Sequence, residues 1–160
     1  MKLSQQFLYS LYSFKRVSAF RMLKVGKPIG YVFFLTLLTM IPVLLGMIFD
    51  TRSTEAIGTL PLPVELLILY VISTSIKFMD VSILAFIGLG LNTYLKRKNI
   101  QYRHTWALSA YAITIPTLVL AIVENLGLVL SGDYVLYMAF STVMLYIILQ
   151  AIPKPKARTT

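Results

Sequence analysis

The 160-residue chain is 58% hydrophobic and only 13% charged, with a mean hydropathy of +0.78, far more apolar than a soluble domain of this size needs to be. It has no cysteine, which excludes disulfides, thiolate metal sites and cysteine nucleophiles. The formal charge of +9 is spread over segments between apolar runs, which argues against nucleic acid as a partner. The composition therefore predicts a single all-α, polytopic membrane domain.

Residues 1–27 are too charged to cross a bilayer, although Leu3, Phe7, Leu11 and Phe14 recur at helical spacing. This pattern predicts an amphipathic helix in the membrane interface, with its basic residues towards the headgroups. Further apolar residues interrupt its polar face, so docking of part of the segment on the bundle stays open. The expected contacts with anionic lipid headgroups or a partner are Lys15, Arg16, Arg21, Lys24, Lys96, Arg97 and Lys98.

Residues 28–152 contain four apolar runs, each of about the length that a transmembrane helix needs. Basic residues precede the first run, fill the loop after the second and form the tail at 153–160. Because basic residues concentrate on the inner side of a membrane, both termini are expected in the cytoplasm of a bacterium, below its cytoplasmic membrane. The predicted spans cover about 29–49, 64–91, 104–130 and 135–152.

Prolines and glycines inside the spans predict local departures from regular packing. Pro42 predicts a kink in the first span, where Thr39 or a neighbouring helix is the candidate partner for the carbonyl that the proline leaves free. Pro116 predicts a bend in the third span. Gly88 and Gly90 favour close approach of another helix. The aromatic residues expected at the interface of the third span are Tyr102, Trp106 and Tyr111.

Lys77 and Asp80 form the most informative pair, because they lie near the middle of the second span and share one helix face. A paired acid and base favours a structural role in helix packing over a path for an ion, proton or solute. Glu124 and Asn125 complete the candidate intramembrane polar centre. Glu124 either lies near the outer interface or faces Lys77. Hydroxyls expected to assist the pair are Ser73, Thr74 and Ser82.

Catalytic motifs are missing from the sequence, so no catalytic residue, metal site or cofactor is predicted and an enzyme is not expected. His104 is the single histidine, and no cluster of acidic residues accompanies it, so it is expected to be an interfacial residue. There is no G-x-S-x-G elbow, no H-E-x-x-H pair and no phosphate-binding glycine loop.

Three stretches carry a family resemblance: residues 7–31, the run DVSILAFIG at 80–88, and YRHTW at 102–106 with YAITIP at 111–116. Together they resemble an uncharacterised Firmicutes membrane family, some of whose members carry the name maltodextrin-utilisation proteins, and which is distantly similar to Yip-type membrane proteins. Members of that family have an extracytoplasmic domain between the first two spans, whereas this chain has only residues 50–63 there. The resemblance implies an accessory membrane protein that acts with a transporter or another membrane complex.

Two main hypotheses of function follow. The first is a non-enzymatic accessory or scaffold subunit, which binds a membrane-protein partner or another copy of itself. The second is a small oligomeric transporter or channel that uses the intramembrane polar residues. A small immunity or stress protein is a third possibility. A water-accessible cavity lined by the polar residues would favour transport, whereas a dry, packed interface around them would favour scaffolding.

Overall fold

The computed structural model describes residues 3–22, 26–48, 61–95, 100–125 and 132–152, and all regular secondary structure in these ranges is helical. Four helical segments are long and apolar enough to cross a membrane: α3, α4, the α5–α6 pair and α7. The predicted all-α architecture with four spanning helices is therefore confirmed. The helices are α1 (Leu3–Tyr12), α2 (Phe14–Ala19) with a 3-10 turn (Phe20–Met22), α3 (Gly26–Ile48), α4 (Leu62–Tyr94), α5 (Tyr102–Ala112), α6 (Thr114–Asn125) and α7 (Asp133–Gln150).

The third span is divided into α5 and α6 at Ile113. Pro116 has no N–H to donate to the carbonyl of Ala112, so the regular helical ladder fails one turn before the proline. The ladder resumes where the Thr117 amide donates to the Ile113 carbonyl at 2.9 Å. The interruption of this span thus falls where the proline predicts it.

Pro42 lies inside α3, which continues to Ile48. The hydroxyl of Thr39 donates to the carbonyl of Thr36 at 3.0 Å. A hydroxyl has one hydrogen to donate, so Thr39 does not serve the carbonyl that Pro42 leaves free. Of the two partners expected for that carbonyl, Thr39 is therefore excluded, because a threonine in a helix finds a nearer acceptor one turn back, and a neighbouring helix stays the prediction.

Helix α5 lies at the centre of the bundle, and its residues 107–112 are all buried. It packs against α3, α4 and α7, and apolar side chains of these helices fill the space between them. Leu84 of α4, Leu108 of α5 and Leu145 of α7 are all fully buried, at 0% exposed. Tyr111, expected at the interface, belongs to this core, with 1% of its surface exposed.

Helix α4 packs closely against α5 and α7 at Gly88. A Cβ atom placed on Gly88 would overlap Thr105 Cγ2 and lie 2.7 Å from Leu145 Cδ2. A Cβ on Gly90 would meet no atom within 4 Å, and the same holds for Gly26 and Gly30. Of the two glycines expected to permit close packing, only Gly88 does so.

The amino-terminal helices pack on the bundle, α1 against α3, α5 and α6, and α2 against α5 and α7. The best-buried residues of α1 are Gln6 and Ser10, at 1% and 3% exposed, whereas Leu3 is 41% exposed. Docking of this segment on the bundle, which the sequence left open, is therefore present, and Phe7 of the apolar stripe takes part through an edge contact with Phe34 of α3. Gln6 is buried here because it accepts a hydrogen bond from Tyr111 of the bundle, whereas Ser10 donates to the Gln6 carbonyl of its own helix.

Candidate functional site

A cavity of about 320 Å³ lies between α4, α6 and α7. Two exposed side chains stand at its rim, Ile76 and Tyr134, which are 51% and 53% exposed, so the cavity is open to the surface. The residues that line it are Ser73, Ile76, Lys77, Asp80, Thr117, Leu120, Asp133, Tyr134 and Tyr137.

The cavity exists because α7 starts beside the middle of α4. Helix α4 has 33 residues. It is ~50 Å long, against ~30 Å of hydrocarbon, and Asp80 lies ~27 Å from its first residue. Tyr134, the second residue of α7, donates from its hydroxyl to Asp80 Oδ1 at 3.1 Å. The half of α4 before Asp80 therefore has no α7 alongside it, and the cavity forms at this step.

Gly132 permits the start of α7 at this position. Its φ is 99°, in the left-handed region that favours glycine over residues with a Cβ atom. The next two residues, Asp133 and Tyr134, are thereby turned into the first turn of α7, where both line the cavity. A local backbone requirement thus places two polar side chains of the site.

Asp80 and Lys77 line the same cavity, and the two side chains attract each other. Asp80 is 5% exposed and receives the hydrogen bond from Tyr134 described above. The expected association of Lys77 with Asp80 is therefore present. Their setting is a lined cavity, although the pair was expected to act chiefly in helix packing.

Three more polar groups of the cavity lack a hydrogen bond of ordinary geometry within the described part of the chain: Thr117 Oγ1, Tyr137 Oη and Asp133 Oδ1. Thr117 is 6% exposed and Tyr137 is 8% exposed. The Tyr137 hydroxyl lies close to Asp80 and Thr117 without making a standard hydrogen bond to either. Buried polar groups need partners, so these atoms are suited to receive a polar solute or water.

The other residues expected at the polar centre have different positions. Ser82 donates to the Phe78 carbonyl at 2.8 Å and accepts from the indole of Trp106 at 3.3 Å. Glu124 and Asn125 end α6, but their side chains lie outside the described residues, as do those of Arg21, Lys24, Lys96, Arg97 and Lys98. Lys15 and Arg16 are exposed on α2, and the Arg16 guanidinium lies 4.7 Å above the ring centre of Tyr9.

His104, expected as an interfacial residue, caps the start of α5. Its Nδ1 accepts from the backbone N–H of Gln101 at 3.3 Å, and the Gln101 side chain accepts from the backbone N–H of His104. The two residues form a reciprocal capping arrangement. The histidine therefore helps to cap α5, a local role that follows from its position three residues after Gln101.

A second polar cluster joins α1 to the bundle, with Thr114 as its member on α6. The Tyr111 hydroxyl donates to Gln6 Oε1 at 2.9 Å, and the hydroxyls of Tyr31 and Thr114 are 2.7 Å apart. The Ser10 hydroxyl donates to the Gln6 carbonyl at 2.8 Å. All five residues are buried. The cluster is fully hydrogen-bonded, so it is suited to holding α1 in place and not to binding a solute.

The family model described as "Protein of unknown function (DUF1189)" matches the chain over residues 4–54 and 47–149. The chain belongs to this family. No curated protein and no solved structure matches it. The two DUF1189 matches meet in the connection between α3 and α4 and together include every residue that lines the cavity. Membership of an uncharacterised family is thus confirmed, whereas the resemblance to maltodextrin-utilisation and Yip-type proteins stays a prediction.

Proposed function

We propose that this DUF1189 protein is a small, non-enzymatic membrane transporter that binds a polar solute in the α4–α6–α7 cavity. One observation carries the proposal: Asp80 and Lys77, near the middle of the longest span, line an open cavity of about 320 Å³. Charged side chains inside spanning helices are rare and commonly mark the paths of ions and solutes. An open cavity around the pair favours the transport hypothesis over the scaffold hypothesis, which calls for a dry, packed interface there.

Beyond Asp80 the bundle is closed by apolar side chains. Leu84, Leu108 and Leu145, all fully buried, follow towards the other end of α4, α5 and α7. A transporter needs a site that is open on one side of the membrane and sealed on the other at any moment. The open cavity and the sealed core beneath it support a one-sided, outward- or inward-facing state of such a cycle.

The direct test is solute flux into vesicles that contain the purified protein. We expect flux of at least one of protons, monovalent cations, small amines or amino acids, and a decrease of about tenfold or more in Asp80→Asn. Asparagine keeps the size of aspartate and an oxygen for the Tyr134 hydroxyl, so the change removes charge and preserves packing.

Glu65→Gln is the matched control, because Glu65 is an acid of the first turn of α4 that does not line the cavity. It should leave flux within about twofold of the original protein, since it makes the same change of charge elsewhere. Absence of flux for every solute class named, in vesicles shown to hold folded protein, would contradict the transport proposal.

The membrane and orientation belong to the proposal as well. The basic segments favour a bacterial cytoplasmic membrane with both termini on the inner side, where anionic headgroups attract lysine and arginine. Exposed Lys15 and Arg16 on α2 support contact of the amino-terminal helices with such headgroups. A membrane-impermeant label should fail to reach a cysteine placed at Lys15 in intact cells.

An accessory subunit is the second candidate, and the outward face of α4 favours it. Met79 and Phe86, seven residues apart and so on one side of α4, are 64% and 66% exposed, and an apolar helix of a partner, or of a second copy, would replace lipid on this surface. The chain has no cysteine, so Met79→Cys introduces a unique cross-linking position. Under this candidate it cross-links to one stoichiometric protein in native membranes, whereas Tyr12→Cys, at a position that is 84% exposed on α1, does not.

A further inference from the structure

The cavity carries an excess of negative charge. Among the described side chains that line it, Lys77 is the cationic one, and Asp80 and Asp133 are acidic. Lys77 and Asp80 attract each other, which leaves the charge of Asp133 to be balanced. Asp133 lies in the first turn of α7. Its buried Oδ1 has no hydrogen-bond donor in the described part of the chain.

Aromatic and apolar surfaces form the rest of the wall. The rings of Tyr134 and Tyr137 lie with their centres 6.4 Å apart and their planes at 36°. Faces of tyrosine rings attract cations, and the attraction is larger where water is excluded. Leu120 and Ile76 add hydrocarbon surface. A bare metal ion would leave these surfaces unused, whereas an organic ligand would cover them.

The buried hydroxyls complete a set of acceptors for an ammonium group. Tyr137 Oη and Thr117 Oγ1 are more than nine-tenths buried, line the cavity and make no standard hydrogen bond within the described residues. Each offers lone pairs to an N–H donor, as does Asp133 Oδ1. Hydrogen bonds from a charged donor are about twice as strong as those between neutral groups.

We infer that the solute of this cavity is a small organic cation, a protonated amine whose nitrogen is held by Asp133 and the neighbouring hydroxyls while its carbon chain lies against Leu120 and the tyrosine rings. The inference rests on the proposed function, because it names the class of solute for the same cavity. A zwitterion would need a cation for its carboxylate, and Lys77 is already balanced by Asp80. An anion would be repelled by the carboxylates of Asp80 and Asp133.

The test uses the full chain in detergent and four ligands with the same number of carbons: butylammonium, butan-1-ol, butyrate and 4-aminobutyrate. Thermal unfolding is followed by the fluorescence of Trp106, the single tryptophan. At a hundredfold excess over its dissociation constant, butylammonium should raise Tm by about 5 to 10 °C, and the other three ligands should not. Asp133→Asn and Tyr137→Phe should each raise the half-saturating concentration of butylammonium tenfold or more, whereas Glu65→Gln should not change it.

Each other outcome has a defined meaning. Saturable stabilisation by butyrate or 4-aminobutyrate in place of butylammonium would overturn the inference and leave a solute site intact. An equal response in Asp133→Asn and in the original protein would overturn it as well, because binding would then lie elsewhere. Flux in vesicles without stabilisation by butylammonium would refute the amine class while the transport proposal stands. Absence of flux for every solute tested would refute the transport proposal.

Discussion

Gly88→Ala is expected to destabilise the bundle by about 1–3 kcal/mol, although alanine is the better helix former by about 1 kcal/mol. The added Cβ overlaps Thr105 Cγ2 and lies 2.7 Å from Leu145 Cδ2. Both neighbours are fully buried, and threonine has few alternative rotamers in a helix. The side chains have no free volume to enter, so α4 must move away from α5 and α7. A larger residue, as in Gly88→Val, should cost more.

Gly90→Ala provides the matched control, since the same substitution two residues later meets no atom within 4 Å. It should be neutral or stabilise the protein by up to about 1 kcal/mol. The free energy of unfolding is measured by titration with sodium dodecyl sulfate in mixed micelles. Trp106 is a suitable reporter because it stacks on Phe78 of α4, with ring centres 6.1 Å apart. Equal effects at the two glycines would show that close packing at Gly88 is not what limits stability.

Loss of the hydrogen bond between Gln6 and Tyr111 is the second large effect that we expect. Gln6→Leu leaves the Tyr111 hydroxyl buried without its acceptor, and Tyr111→Phe leaves Gln6 Oε1 without its donor. An orphaned polar group in a protein interior costs about 1–3 kcal/mol. Each single variant should therefore lose about this much stability, and α1 should become more accessible to protease.

The double variant separates this bond from simple loss of packing. Gln6→Leu with Tyr111→Phe removes both orphaned groups, so it should be less destabilised than the sum of the single variants by about 1–2 kcal/mol. Tyr12→Phe removes a hydroxyl that is largely in solvent or headgroups, since Tyr12 is 84% exposed, and it should be neutral. Strict additivity of the two core substitutions would mean that the bond does not hold α1 on the bundle.

The spanning helices could be predicted from the sequence because their signal is local. A run of about 20 apolar residues is long enough to cross a membrane whatever its neighbours are. The pairing of Lys77 with Asp80 is also local, since residues three apart share a helix face. Helix α4 nevertheless extends from Leu62 to Tyr94, beyond the predicted 64–91, because Pro63 is tolerated in a first helical turn and Asn92, Thr93 and Tyr94 continue the helix past its apolar run.

The rest of the site depends on how helices align with each other, which local patterns do not encode. Asp133 and Tyr134 reach the cavity because α7 begins beside Asp80, and this offset is decided by packing around Gly88 and Leu145. Tyr137 follows one turn later on the same helix. An aspartate after Ser131-Gly132 reads in sequence as part of a loop. The same limit explains Tyr111, whose place in the core is set by Gln6, a residue far away in the chain.

The bond from Tyr111 to Gln6 spans 105 positions of sequence. At a synthesis rate of about 5–20 residues per second, the ribosome makes Tyr111 roughly five to twenty seconds after Gln6. Helix α1 can therefore reach its final position only after the chain has been made as far as Tyr111, in the third span. A bulky fusion at the amino terminus should thus permit insertion of the spans while it blocks the last step of assembly.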